Sequence, residues 1–179
     1  MPRHVLTGAP GAGKTAVLRL LEVRGHAVVE EAATDVIALA GALGHAEPWH
    51  EPAFVDEVVT LQRRRQEAVR QDRAAAVFFD RSPVCTLALS RYLGFGTSRL
   101  LAREVERVVA EGTYDGRVFF VRNQGFVRAT PARRISFEDS LDFERLHERT
   151  YRDLGFELVE IPAAPVADRV TLIERSLNA

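Results

Sequence analysis

Gly8-Ala9-Pro10-Gly11-Ala12-Gly13-Lys14-Thr15 decides how the rest of this chain is read. The spacing is G-x-x-x-x-G-K-[ST], which cradles phosphate groups when it joins a strand to a helix. A loop of small residues turns successive backbone N–H groups toward an anion. Lys14 adds a compact positive charge for the β- and γ-phosphates, and the Thr15 hydroxyl is placed to ligate Mg²⁺. The following helix points its N-terminus at the same anion. The flanks agree: residues 3–7 read as a strand and 15–24 as a helix. The nucleotide-binding set is Gly8, Ala9, Pro10, Gly11, Ala12, Gly13, Lys14, Thr15 and Ala16. Lysine plus arginine is 24, yet Lys14 is the sole lysine, so a chain that spells positive charge as Arg keeps Lys where this loop requires it.

Length and composition frame that loop. The 179 residues, 46% hydrophobic and 27% charged, predict one soluble domain over 1–179. A net charge of −1 disfavours a nucleic-acid-coating role. Cys85 is the lone cysteine, so no internal disulfide forms and a reducing, cytoplasmic setting is expected. No apolar run approaches the ~18 residues of a membrane span, so no membrane association is expected. The first seven residues lack the apolar core of a signal peptide.

Outward from the loop, short apolar runs alternate with helical stretches. Strands are predicted at 26–30, 76–80, 117–121 and 156–161, and helices at 32–43, 53–73, 83–93, 99–111, from about 136 to 155, and 166–177. Ser82 and Pro83 suit a helix start, and Ser136 with Asp139 forms a capping-box variant. This β-α alternation predicts a parallel sheet covered by helices on both faces.

The rest of the chain narrows the chemistry. Guanine-reading GTPases use [NT]-K-x-D, which a chain whose sole lysine is Lys14 cannot supply. The L-S-G-G-Q segment of transporter-type ATPases is absent. The third strand ends Phe78-Phe79-Asp80-Arg81-Ser82, with Arg81 where hydrolytic ATPases place a water-polarising Glu. A cation there suits transfer of phosphate to a bound acceptor. Asp80 closes an apolar strand, as a magnesium-supporting Asp does, so the metal set is Thr15 and Asp80. Glu30 and Glu31 close the second strand, where a carboxylate can orient or deprotonate an attacking hydroxyl. Arg122, Asn123, Arg128, Arg133 and Arg134 lie in a polar loop over about 122–136, which can close as a lid whose guanidinium groups neutralise phosphate charge. Arg63-Arg64-Arg65 shares its helix with Glu57 and Glu67 and reads as a solvated face. Trp49 reads equally as pocket lining or packing anchor, Cys85 as a core residue, and the five histidines show no metal spacing.

Taken together, Val5 to Thr15, Val28-Val29-Glu30-Glu31-Ala32-Ala33, Val77-Phe78-Phe79-Asp80-Arg81, Arg133-Arg134-Ile135-Ser136-Phe137-Glu138-Asp139 and the run Tyr151 to Pro162 resemble a bacterial family of P-loop predicted ATPases. That family carries the AAA-domain label and is related to nucleoside and nicotinamide riboside kinases. The resemblance implies a five-stranded parallel sheet in the order 2-3-1-4-5 with an arginine-bearing lid. It also implies Glu31 as base, Asp80-Arg81-Ser82 for metal and phosphates, and Arg133 or Arg134 as the lid arginine. Where many relatives continue with a Gly-Ile-Pro-Asp-like run, this chain reads Ser82-Pro83-Val84-Cys85. The expected catalytic set is Lys14, Glu31, Asp80, Arg81, Arg133 and Arg134, acting with ATP and Mg²⁺ on a small hydroxylated acceptor of the nucleoside or nucleoside-like kind. The rival readings are a slow ATPase that switches a protein partner and a nucleic-acid end kinase.

Overall fold

The computed structural model describes residues 1–69, 76–125 and 136–177. β1 (Arg3–Thr7) runs into the glycine-rich loop and α1 (Lys14–Val23). There follow β2 (Ala27–Val29), α2 (Ala32–Ala42), a 3-10 turn (Pro48–His50) and α3 (Pro52–Ala68). β3 (Val77–Asp80), α4 (Pro83–Tyr92), α5 (Arg99–Ala110) and β4 (Arg117–Val121) come next. α6 (Phe137–Asp153), β5 (Glu157–Ile161) and α7 (Val166–Leu177) complete the order. All pairings are parallel and the strand order is β2-β3-β1-β4-β5, as the resemblance implied.

The strands are continuous apolar runs because both faces are covered. Leu6, Phe78 and Phe119 face α1 and α7, packing with Val17, Leu21, Val170 and Ile173. Val5, Val77, Phe79 and Val118 face the other way and pack with Val84, Cys85, Val108 and Tyr151. Among the described residues no helix is long and apolar enough to cross a membrane.

Caps set the helix starts, though not always as expected. Ser136 Oγ accepts from the Asp139 N–H at 3.0 Å and donates to its carboxylate at 2.7 Å, as the capping-box reading predicts. Ser82 does precede α4, but its hydroxyl bonds the Tyr151 hydroxyl at 2.6 Å instead of capping. Pro83 in the first turn leaves one N–H fewer to satisfy there.

The topology places the loop. The chain leaves β1 toward the β2 edge, then crosses over β1 after β3 to reach β4. The carboxyl end of β1 is therefore a topological switch point, where such sheets open a ligand crevice. Leu6 is level with Asp80 on β3 and with Phe119 on β4, so the loop emerges between those strand ends.

Gly8 lies hard against β4. Its φ is +131°, and an added Cβ would lie 2.2 Å from the Val121 carbonyl oxygen on β4. Gly8→Ala should therefore lower unfolding free energy by about 3 kcal/mol, read by urea denaturation. Wild-type stability in that variant would show that the β1 exit does not need this contact.

Candidate active site

The phosphate loop is built as its sequence requires, and its own lysine occupies two of its carbonyls. Gly13 caps α1 with φ 83° and ψ 18°. Lys14 is buried, and its Nζ donates to the carbonyls of Gly8 (3.1 Å) and Ala9 (3.0 Å). Burial and the nearby Arg81 lower its ammonium to about 8, against the pull of Asp80 and Glu31. Thr15 and Ala16 are exposed on the first turn of α1, so the Thr15 hydroxyl is open to a ligand. Asp80 is buried at the end of β3.

Opposite Lys14 lies a chain of three side chains. Arg81 Nε donates to Glu31 Oε1, and Arg81 Nη1 lies 3.2 Å from His147 Nε2 on α6. His147 Nδ1 sits 2.9 Å from the Phe143 carbonyl. A carbonyl only accepts, so Nδ1 carries the hydrogen and Nε2 is left to accept from Arg81. Burial and the Arg81 charge push His147 down to about 3, so the ring is neutral near neutral pH. Burial alone would raise Glu31, but the Arg81 and Lys14 cations and the Thr34 hydroxyl hold it at about 2. Arg81 has φ +75°, uncommon outside glycine and asparagine, and its N–H is fixed to the Leu6 carbonyl at 3.0 Å.

Glu31 and Glu30 separate cleanly. Glu30 is exposed and pairs with Arg19, whereas Glu31 faces inward. Arg65 Nη1 donates to both their carbonyls, at 2.9 and 3.0 Å, and its other terminal nitrogen pairs with Asp35. It thereby braces the corner that carries Glu31.

A cavity of about 350 Å³ opens beside the loop at Pro10. Glu31 and Arg81 stand in its wall. Ile37, Trp49, Phe54, Leu89 and Phe143 give it apolar walls, and Gln62 and Thr86 face it from α3 and α4. Thr86 Oγ1 donates to Gln62 Oε1 at 2.8 Å. Trp49 serves both of its readings, since it also packs against the cluster of Ala32, Val36 and Phe54. Cys85 is a core residue that also borders this cavity, its Sγ 3.2 Å from Thr7 Oγ1 and 3.0 Å from the Tyr151 hydroxyl.

Of the arginines that follow β4, Arg122 falls within the described residues. Arg122 pairs with Glu144, Glu148 and Glu160 and lies over the Phe120 ring, which ties β4 and β5 to α6. Arg128, Arg133 and Arg134 lie outside the described residues. Arg63 pairs with Glu67 and Glu104, in keeping with a charged helix face. His147 and Gln62 carry no local sequence signal for this site, and Arg65, read above as part of a solvated face, turns inward to the Glu31 corner instead; in each the signal is a tertiary contact.

The fold and loop define a P-loop nucleotide-binding protein. A family model described as an AAA domain matches residues 3–169. The chain belongs to that family. Three solved structures of deoxyadenosine kinase from M. mycoides share the fold. The one with products dCMP and a flexible dCDP bound has a TM-score of 0.63 at 13% identity, covering 98% of each chain. The one with dATP bound gives 0.60 at 14%, covering 100% of each, and the one with dCTP 0.64 at 14%, covering 99% of each. No curated protein matches the chain.

Two outcomes test this site. His147→Phe keeps the ring volume but leaves Arg81 Nη1 without its acceptor, and should cost about 1–3 kcal/mol of stability; His147→Gln should recover part of it in the same denaturation assay. Glu31 is held below its ordinary 4.5, so its ion pair contributes stability that is full above that pH and lost as pH falls toward 2. The stability gap between wild type and Glu31→Gln, on the order of 2 kcal/mol near neutral pH, should therefore close on acidification.

Proposed function

We propose that this chain is an ATP- and Mg²⁺-dependent phosphotransferase that passes the γ-phosphoryl group to a hydroxyl of a small, nucleoside-like acceptor. The observation that carries this reading is the cavity of about 350 Å³ against the phosphate loop, with Glu31 and Arg81 in its wall. A hydrolytic site needs room for a water, whereas this cavity has the size and apolar walls of a small-molecule site. The polar edge made by Gln62 and Thr86 offers hydrogen bonds to a heterocycle lying between those walls. The kinase fold shared with the M. mycoides structures supports the same class of reaction.

In the transfer, the acceptor oxygen bonds to the γ-phosphorus as the bond to the bridging β,γ-oxygen breaks, and ADP leaves. The Glu31 carboxylate accepts a hydrogen bond from the attacking hydroxyl, aims it, and takes up its proton late, as the new O–P bond forms. A carboxylate held at about 2 is a weak base, which suits a loose transition state in which positioning matters most. Arg81 holds Glu31 in place and faces the moving charge. Lys14 turns from the Gly8 and Ala9 carbonyls to the phosphates. Arg133 or Arg134 is proposed to add a guanidinium over the transferred group.

Thr15 and Asp80 suit Mg²⁺: a hydroxyl and a carboxylate are hard oxygen donors, and this ion shares its shell with waters and phosphates. Among the described residues no cluster of three or more His, Cys, Asp or Glu forms a metal cage of another kind. Bound there, Mg²⁺ supplies neutralisation of charge across the β- and γ-phosphates.

Labelled ATP offered with a panel of nucleosides and other hydroxylated metabolites should give acceptor-dependent ADP release. Lys14→Ala should lower that release at least about a hundredfold with the fold intact. Slow turnover indifferent to every acceptor, together with a stable protein complex, would instead establish the switch reading.

A further inference from the structure

Arg169 on α7 is 2% exposed, and its charged group lies against the back of the phosphate loop. Nη1 donates to the Ala12 carbonyl at 2.9 Å and Nη2 to the Arg122 carbonyl at 3.0 Å. With its amide turned to suit its neighbours, Gln124 Oε1 accepts from the same two nitrogens at 2.7 and 3.0 Å. All these partners are neutral. Nε is buried without a hydrogen bond, and among the described residues no carboxylate pairs with the guanidinium. Burial alone lowers its basicity.

A buried cation without a counter-ion is costly, and proteins pair such groups or spend them on a ligand. The nearest feature built for negative charge is the phosphate loop itself. The Ala12 carbonyl and the Gly13 N–H belong to one peptide unit. A charged donor on that carbonyl polarises the unit and strengthens the Gly13 N–H as a donor. Gly13 is also where a side chain would meet Arg169: an added Cβ would lie 3.1 Å from Nη1.

We propose that Arg169 is a positioning residue of the nucleotide site: it fixes and polarises the Ala12–Gly13 peptide, and its unpaired charge is balanced by the bound polyphosphate. The inference rests on the nucleotide-binding reading of the loop and is independent of the acceptor. It places a further cation beside Lys14 at the nucleotide site, drawn from the far end of the chain.

Calorimetric titration of wild type, Arg169→Met and Arg169→Gln with Mg²⁺ and ATP, ADP or AMP tests it, alongside melting of the nucleotide-free proteins. Both substitutions remove the charge, so one serves if the other fails to fold. ATP affinity should fall about tenfold or more, with the loss shrinking from ATP to ADP to AMP. The nucleotide-free melting temperature reports the balance between removing an unpaired buried charge and leaving the Ala12 and Arg122 carbonyls without this donor, so the graded loss of affinity is the deciding readout. Unchanged ATP affinity would overturn the proposal. So would an equal loss for all three nucleotides, which is the mark of simple packing. Wild type that binds none of them would overturn the nucleotide reading as well, which separates the two failures.

Discussion

A loop that spends its N–H groups on an anion must have its carbonyl oxygens satisfied from elsewhere. That constraint organises the phosphate-loop half of this molecule. The Gly8 and Ala9 carbonyls take hydrogen bonds from Lys14, and the Ala12 carbonyl takes one from Arg169. Lys14 belongs to the loop, but Arg169 is 157 residues away from Ala12, on the helix that closes the chain. The packing of α7 on α1 and the sheet is thus what carries a guanidinium to the loop's back. Fold and site share one set of contacts.

The half that borders the cavity is held by a second set. Glu31 comes from the end of β2, Arg81 from the end of β3 and His147 from α6, so three separate elements meet on one cation. A neutral histidine on one side and a carboxylate on the other give Arg81 two different partners. Only the carboxylate offers charge, so the histidine sets direction without drawing the guanidinium away from Glu31. Arg65 braces the β2 corner from outside, and the cavity lies among these elements.

Much of this was legible in the sequence. The glycine-rich loop, its flanking strand and helix, and the runs at 76–80 and 117–121 are local patterns, and the structure places strands there within a residue. The strand order came from resemblance, since periodicity alone does not say which strands are neighbours. Arg169 and His147 were not legible, because a surface arginine and a helical histidine look the same in sequence as these two. Their meaning lies in contacts 157 and 66 residues apart. Arg122 shows the converse: its position after β4 suggested a lid, but three carboxylates on α6 and β5 claim its charge.

The left-handed backbone at Arg81 has a consequence for what this position tolerates. Its φ of +75° is comfortable for glycine, yet glycine has no side chain to span Glu31 and His147. Lysine would keep the charge but not the planar fork that reaches two partners at once. Main chain and side chain therefore ask for different amino acids, and arginine is the compromise that satisfies the second demand at the expense of the first. Such a position has few neutral neighbours in sequence space, so drift there should be rare even where the surrounding pocket wall changes freely.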